Sequence, residues 1–300
     1  MTSHGNPSAL PSERSADGIV SLQLIPNPEK PRGGVVVLDA WLIGELIKFF
    51  DWLDTQPKPT GFLLMSASSR VFVAGADLAE IDALDDDALH TYLQRGGDAF
   101  GRISKLACPS AAVINGAALG GGLEIAMHCD ALIGVVPPAM DKPYRIGLPE
   151  AGLGICPGWG GTLTLPARID PATAMKVTAT GETWKVTDAP PGLLDATASD
   201  LDSARTTAIA WLKSHSRTQP LRNPRSIGPG GPGSDAARRA LTEVTPIIAA
   251  SEAGRAVASA IEEGLSRGFD AGVAAEQGHL VRLRHTPEAR AKLEAFLKKS

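Results

Sequence analysis

Apolar and polar residues alternate from Gly18 to Ile25, the period of a half-buried strand. Pro26 to Pro31 reads as a turn, and Gly33 to Leu38 as a second strand. The period then changes. Leu42, Leu46, Ile47 and Phe50 recur at helical spacing within Ala40 to Leu53, which predicts an amphipathic helix. Thr60 to Met65 is apolar almost throughout, as a strand buried on both faces would be. The polar loop Ser66 to Arg70 delivers the chain to Val71 to Asp77. Asp85-Asp86-Asp87 then opens a helix predicted over Asp87 to Leu106, since acids favour a helix N-terminus, and Pro109 closes it. Val113-Ile114 leads as a strand into an Asn-Gly turn, three glycines and a helix-like stretch of small and apolar residues. Ala131 to Val136 is a further strand. Repeated alternation of strand and helix predicts an α/β fold with helices covering sheets.

The ends differ in texture. Met1 to Asp17 is Ser/Pro-rich with both signs of charge and predicts a disordered leader over 1–17. Arg217 to Ser234, rich in Pro, Gly and Arg, reads as a linker over 217–234 between a core at 18–216 and a helical region at 235–300 that breaks near Thr286-Pro287. Gly228, Gly230 and Gly233 match a GxGxxG string, but no strand precedes them and prolines fill the gaps, so a dinucleotide loop is excluded there. A hydrophobic fraction of 43%, a charged fraction of 21% and a net charge of −4 fit a globular protein without the basic footprint of a nucleic-acid binder. No apolar run reaches membrane-spanning length, and the N-terminus lacks the character of a secretion or transit signal, so a cytoplasmic protein is expected. Cys108, Cys129 and Cys156 are too few and too dispersed for a disulfide framework or a zinc knuckle, and they read as small buried hydrophobes. A nucleophile elbow and a P-loop are both missing, and His128, the one histidine near a motif, reads as packing or surface.

The chemistry concentrates in Val113 to Asp130. Glu124 stands among Leu, Ile, Ala and Met just after Gly120-Gly121-Gly122, where burying a carboxylate is costly. Glycines at a helix start allow an anion close to unpartnered amides, so an oxyanion could sit at the N–H of Gly121 with Glu124 one turn away. Taken alone, the segment is equally compatible with a packed Gly-rich turn whose glutamate reaches water.

Two further stretches decide between these readings. Residues 70 to 81 read Arg-Val-Phe-Val-Ala-Gly-Ala-Asp-Leu-Ala-Glu-Ile. Residues 146 to 161 read Ile-Gly-Leu-Pro-Glu-Ala-Gly-Leu-Gly-Ile-Cys-Pro-Gly-Trp-Gly-Gly. With the glycine triplet these motifs, in this order, resemble the enoyl-CoA hydratase/isomerase (crotonase) family, most of all the hydratase part of bacterial multifunctional fatty-acid oxidation proteins. The resemblance implies a crotonase-like ββα spiral core and a C-terminal helical trimerisation region. It implies an acyl-CoA substrate, no cofactor beyond the CoA of that substrate, no metal, and a homotrimer or homohexamer that binds neither nucleic acid nor membrane. It assigns the oxyanion hole to the amides of Ala74 and Gly121, and catalysis to Glu124 and Glu150. Glu124 would orient and deprotonate water, and Glu150 would supply the proton to Cα. Substrate contacts fall to Ala74, Gly75, Ala76, Asp77, Gly121 and Trp159.

The chain also departs from the family pattern. Val36-Val37-Leu38-Asp39 replaces the usual Asn-Ala-Leu element of the CoA groove. Pro137 to Arg145 is an insertion, expected as a surface loop, that lengthens the span between the two glutamates. Cys156 and Trp159 are unusual at their positions, and Trp159 would limit or line the acyl site. Retention of both glutamates favours hydration; isomerisation, another reaction on this scaffold, and non-catalytic CoA binding are the alternatives.

Overall fold

The computed structural model describes residues 5–30, 32–138, 142–217, 219, 223–230 and 233–298. Its strands are β1 (Ser12–Arg14), β2 (Ile19–Leu24), β3 (Gly61–Ser66), β4 (Val71–Val73), β5 (Ser110–Ile114), β6 (Ala117–Leu119), β7 (Ala131–Val135), β8 (Arg145–Gly147), β9 (Thr183–Lys185) and β10 (Ala196–Ala198). Its helices are α1 (Ala40–Asp54), α2 (Leu78–Ala83), α3 (Asp86–Lys105), α4 (Gly121–Met127), α5 (Gly161–Thr164), α6 (Pro171–Thr180), α7 (Leu201–Ser214), α8 (Ser234–Ile248), α9 (Glu252–Arg267), α10 (Phe269–Leu283) and α11 (Pro287–Leu297).

The strands form two sheets, ordered β1-β2-β3-β5-β7-β10 and β4-β6-β8-β9. Three times the chain runs through the first sheet, crosses into the second and leaves by a helical element. It does so as β3 to β4, β5 to β6, and β7 to β8, and both sheets keep that order. This is a three-turn ββα spiral. The first sheet is parallel apart from the β1–β2 pair. Its central strands are buried on both faces, as their apolar runs require. Alternate residues separate cleanly. Phe62, Leu64, Ala112, Ile114 and Leu132 enter the main core, while Leu63, Ala111, Val113, Ala131 and Ile133 meet Ala204, Ala208 and Leu212 of α7.

Asp39 caps α1 by accepting from Leu42 N–H, and Asp85 caps α3 as the acidic run predicts. Two expected elements differ. Residues 33–38 do not form a strand: a 3₁₀ turn spans Arg32–Gly34, where Gly33 and Gly34 have φ of 63° and 81°, and the chain beyond it bonds the loop after β4 rather than a strand. Nor is the described part of the leader loose. β1 pairs with β2, Leu10 is buried, and the Ser8 hydroxyl and Ala9 amide bond the backbone and carboxylate of Glu45. The burial of Leu10, the β1–β2 pairing and the bonds to Glu45 order a segment whose composition carries no such signal.

Pro137, Pro138 and residues 142–144 have no regular structure, as expected of a loop, but Arg145, expected at its end, begins β8 and pairs with Lys185; residues 139–141 lie outside the described residues. Tyr144 is tied inward, its hydroxyl donating to Ile114 C=O at 2.8 Å. In the expected linker, Ile227 is buried and its N–H donates to Leu163 C=O. The C-terminal helices share a core with α5 and α6 through Leu163, Met175, Val257, Ile261 and Leu265, while Leu280 of α10 packs into the main core. No helix of the described residues is long and apolar enough to cross a membrane.

Candidate active site

The spiral sends three chain segments off the carboxyl ends of β4, β6 and β8, and all three line one cavity of about 620 Å³. Ligand sites commonly form at the carboxyl ends of parallel strands. After β4 the chain turns through Ala74-Gly75-Ala76. Gly75 has a φ of 107°, and a Cβ there would lie 3.1 Å from Leu119 C=O, so the turn needs glycine. The hydrogen bonds of this turn alternate. Ala74 N–H donates to Val36 C=O at 2.9 Å, Leu38 N–H to Gly75 C=O at 2.9 Å, and Asp77 N–H to Leu38 C=O at 3.2 Å. The amide of Ala76 lies between these contacts, faces away from residues 36–38 and has no partner among the described residues. The expected oxyanion donor Ala74 is therefore committed to the backbone, and the available amide in this turn is that of Ala76.

After β6, Gly120 takes a φ of 53° and its amide donates to Gly147 C=O. Gly121 is the first residue of α4, so its N–H has no intrahelical partner. The glycine triplet is sterically enforced. A Cβ on Gly121 would lie 2.4 Å from the Trp159 ring, and one on Gly122 only 2.1 Å from Val73 C=O. α4 thus starts in direct contact with the β4 backbone, which brings the Gly121 and Ala76 segments to the same cavity.

Glu124 follows on α4, 1% exposed. Its Oε1 accepts from Trp159 N–H and Gly161 N–H, both at 2.8 Å, and its Oε2 is buried without a partner. Glu150 opens a 3₁₀ turn after β8, and its Oε2 is likewise buried and unpartnered. Both glutamates line the cavity. Burial is the main force raising the Glu124 carboxyl well above its usual range, and the charges of Glu276 and Glu150 add to it. Burial lifts Glu150 to about 8.

Trp159 forms a wall, its indole N–H donating to Leu93 C=O at 2.8 Å and its ring against Tyr92 and Phe100. Asp77 does not line the cavity. It is 1% exposed and caps α2 by accepting from Ala79 and Glu80 N–H, which corrects its expected role as a substrate contact. The carboxylates of Asp39, Asp77 and Glu80 come within 4.8 Å of one another, but helix capping accounts for the first two and Lys30 Nζ stands 3.8 Å from Glu80. His128 is buried and held neutral, its burial lowering it to about 4. The three cysteines are free and buried.

The sequence model of the enoyl-CoA hydratase/isomerase family matches residues 32–222, which takes in all three cavity segments. The chain belongs to the enoyl-CoA hydratase/isomerase family. Over 148 residues it is 40% identical to the fatty acid oxidation complex subunit alpha of Psychrobacter cryohalolentis, a match covering 47% of this chain and 20% of that protein. The chain thus matches about a fifth of that relative's length. In fold it is similar to an enoyl-CoA hydratase from Bacillus halodurans, with a TM-score of 0.66, 20% identity and coverage of 96% of this chain and 100% of that one. It is also similar to one from Bacillus anthracis, with a TM-score of 0.59, 23% identity and coverage of 97% and 96%.

Against this family background, three features escape the sequence reading. Val35 and Val37 line the cavity, Val37 from the segment that replaces the Asn-Ala-Leu element and Val35 just before it. Leu280 and Phe296 reach it from α10 and α11. Glu276 of α10 is a third buried carboxylate beside the site, 0% exposed. Its only signal in the sequence is a glutamate, followed by Gln277, on the Gly272, Leu280, Leu283 face of a helix whose remaining buried residues are apolar.

Proposed function

We propose that the chain adds water across the 2,3 double bond of an enoyl-CoA thioester. The observation that carries this reading is the pair of buried glutamates. Each keeps one carboxyl oxygen unpartnered, and both line a cavity that also holds the free amides of Ala76 and Gly121. Hydration needs a base near Cβ and an acid near Cα together, and the two carboxyls supply both. The two carboxyls react with one proton between them. Glu124, its Oε1 steadied by the Trp159 and Gly161 amides, is the carboxylate and accepts a proton from water as the water oxygen bonds Cβ. Charge passes to the thioester oxygen, where the amides of Ala76 and Gly121 receive it. Glu150 then gives its proton to Cα. A carboxyl raised to about 8 holds that proton at neutral pH. Proton exchange between the two carboxyls restores the starting state.

The cavity walls are mostly apolar, with Val37, Leu93, Trp159 and Leu280 among them, which suits an acyl chain. The substrate's own CoA is the one cofactor this chemistry calls for. Among the described residues of the insertion, none lines the cavity. The family resemblance further supports self-association as a homotrimer or homohexamer, and a monomer by light scattering at micromolar concentration would contradict that.

The function is tested by incubating pure protein with crotonyl-CoA and following the conjugated thioester absorbance. Loss of absorbance with formation of the 3-hydroxyacyl product is expected. Inertness toward 2-enoyl thioesters combined with turnover of a 3-enoyl-CoA would establish isomerisation instead, and binding without turnover of either would establish a CoA-binding protein.

A further inference from the structure

The segment Trp159 to Thr162 carries four consecutive amides, and two buried glutamates take them alternately. Trp159 and Gly161 donate to Glu124 Oε1 at 2.8 Å each. Gly160 donates to Glu276 Oε2 at 2.6 Å, and Thr162 to Glu276 Oε1 at 2.9 Å. The neighbouring Gln277 donates its side-chain amide to Gly158 C=O at 3.2 Å. The backbone is pressed onto α10 as well: Gly160 has a φ of 97°, and a Cβ there would lie 2.6 Å from the Phe269 ring. The segment is therefore held between the catalytic helix α4 and the C-terminal helix α10, one carboxylate on each side.

Glu276 is costly to bury, and no cation among the described residues offsets it. The groups bonded to Glu276 are the amides of Gly160 and Thr162, and neither is basic. The titratable groups around the segment are Glu124 from α4, Glu150 from the 3₁₀ turn, Cys156 from the preceding loop, and the neutral His128 beyond Trp159. Arg282, on the same helix, acts on Cys156. A glutamine of the same shape would satisfy the amides poorly, because its NH₂ end would face an N–H. The site thus retains a third carboxylate where a neutral side chain would remove a charge but break the clasp.

We infer that Glu276 is a positioning residue for Glu124: it fixes the 159–162 segment from behind, so that the two amides holding Glu124 Oε1 leave its Oε2 directed at the substrate. The C-terminal helix thereby becomes part of the catalytic machinery rather than a cover over it. Because only one Glu124 oxygen is anchored, a small shift of this segment swings the other, and misplacement by an ångström is enough to cost much of a rate. The ionised Glu276 also raises Glu124 through its charge, and burial lifts Glu276 itself to about 7. Removing that charge must move the Glu124 titration to lower pH.

The inference rests on the hydratase reading above, and its test separates the two. In full-length protein, Glu276→Gln is expected to lower kcat by roughly 10–10²-fold while KM for the 2-enoyl-CoA stays within about threefold. The acid limb of kcat/KM should move to lower pH. Glu276→Asp, which keeps the charge, should leave that limb near its wild-type position. A Glu276→Gln variant with lowered Tm but the wild-type kcat and pH profile would reduce Glu276 to a structural role and overturn the inference. Wild-type protein inert toward every enoyl-CoA would instead overturn the hydratase reading. In that case infrared titration of the carboxyl band decides: a Glu124 transition displaced to lower pH in Glu276→Gln upholds the coupling, and an unmoved one refutes it. Should Glu276→Gln fail to fold, Glu276→Asp serves, since the shorter side chain must lower kcat; full activity in it refutes the clasp.

Discussion

Glu150 and Ala76 show what the residue scale fixes and what it leaves to the fold. The Glu150 carboxyl, buried and raised to about 8, is the proposed acid, so the alkaline limb of the rate should fall as the pH rises through 8, the acid limb belonging to Glu124. A kcat profile flat from pH 7 to about 9 would deny Glu150 that role. The oxyanion donors make a second test. In a complex with an unreactive acyl-CoA, the thioester oxygen should lie within hydrogen-bond reach of the Ala76 and Gly121 amides. Its carbonyl stretch should fall in frequency relative to solution. An oxygen seated at Ala74, or an unshifted stretch, would contradict the assignment. Both glutamates are legible in the sequence because motif residues flank them. The choice between Ala74 and Ala76 is not, since the turn is small residues throughout. Ala76 is proposed because the 36–38 segment has already engaged the Ala74 amide.

At the scale of elements, the alternation of strand and helix is legible in the apolar runs, whereas the ββα spiral is expected from the family resemblance alone, because β4, β6 and β8 are three residues each and too short to carry a period of their own. The strand expected at 33–38 shows the limit of periodicity. Val36 and Leu38 are buried as the alternation requires, but their partner is the turn after β4. Glycine spacing, by contrast, reports contact directly. Gly122→Ala would drive a methyl into Val73 C=O, which lies 2.1 Å from the Cβ position, and so separate α4 from β4. Overpacking of this kind should cost about 1–3 kcal/mol and lower Tm, with activity lost alongside as the Gly121 amide moves. A variant with unchanged Tm and rate would show that this approach is not what places the oxyanion donors.

For the whole molecule, three buried carboxyls without a cation make stability depend on pH. Glu124, Glu150 and Glu276 all bind a proton more tightly folded than unfolded, burial being the main cause in each. Their contribution is therefore fully present below the unfolded value near 4.5 and is lost as the pH rises through the folded values, about 7 for Glu276 and about 8 for Glu150. His128 acts oppositely, but only below its ordinary 6.5, and the surface acids shifted downward act lower still. From about pH 6.5 to 8 the trio sets the slope. Tm should fall across this window, and a Glu150→Gln, Glu276→Gln double variant should flatten the fall. A wild-type Tm that rises between those values would mean the carboxyls are not buried as described. The sequence brings Glu124 and Glu150 together through their motifs but does not place Glu276 with them, because the packing of α10 alone brings it to the site.

The central claim is that two carboxyls act as one hydrating unit, and the most direct measurement is the initial rate of 2-enoyl-CoA hydration by wild type, Glu124→Gln, Glu150→Gln and the double variant. Glutamine keeps the shape of each side chain and removes its basicity. Each single substitution should lower kcat by roughly 10²–10⁴-fold with KM little changed, and the double variant should be far less than multiplicatively worse. A single variant that hydrates at the wild-type rate would contradict the paired mechanism.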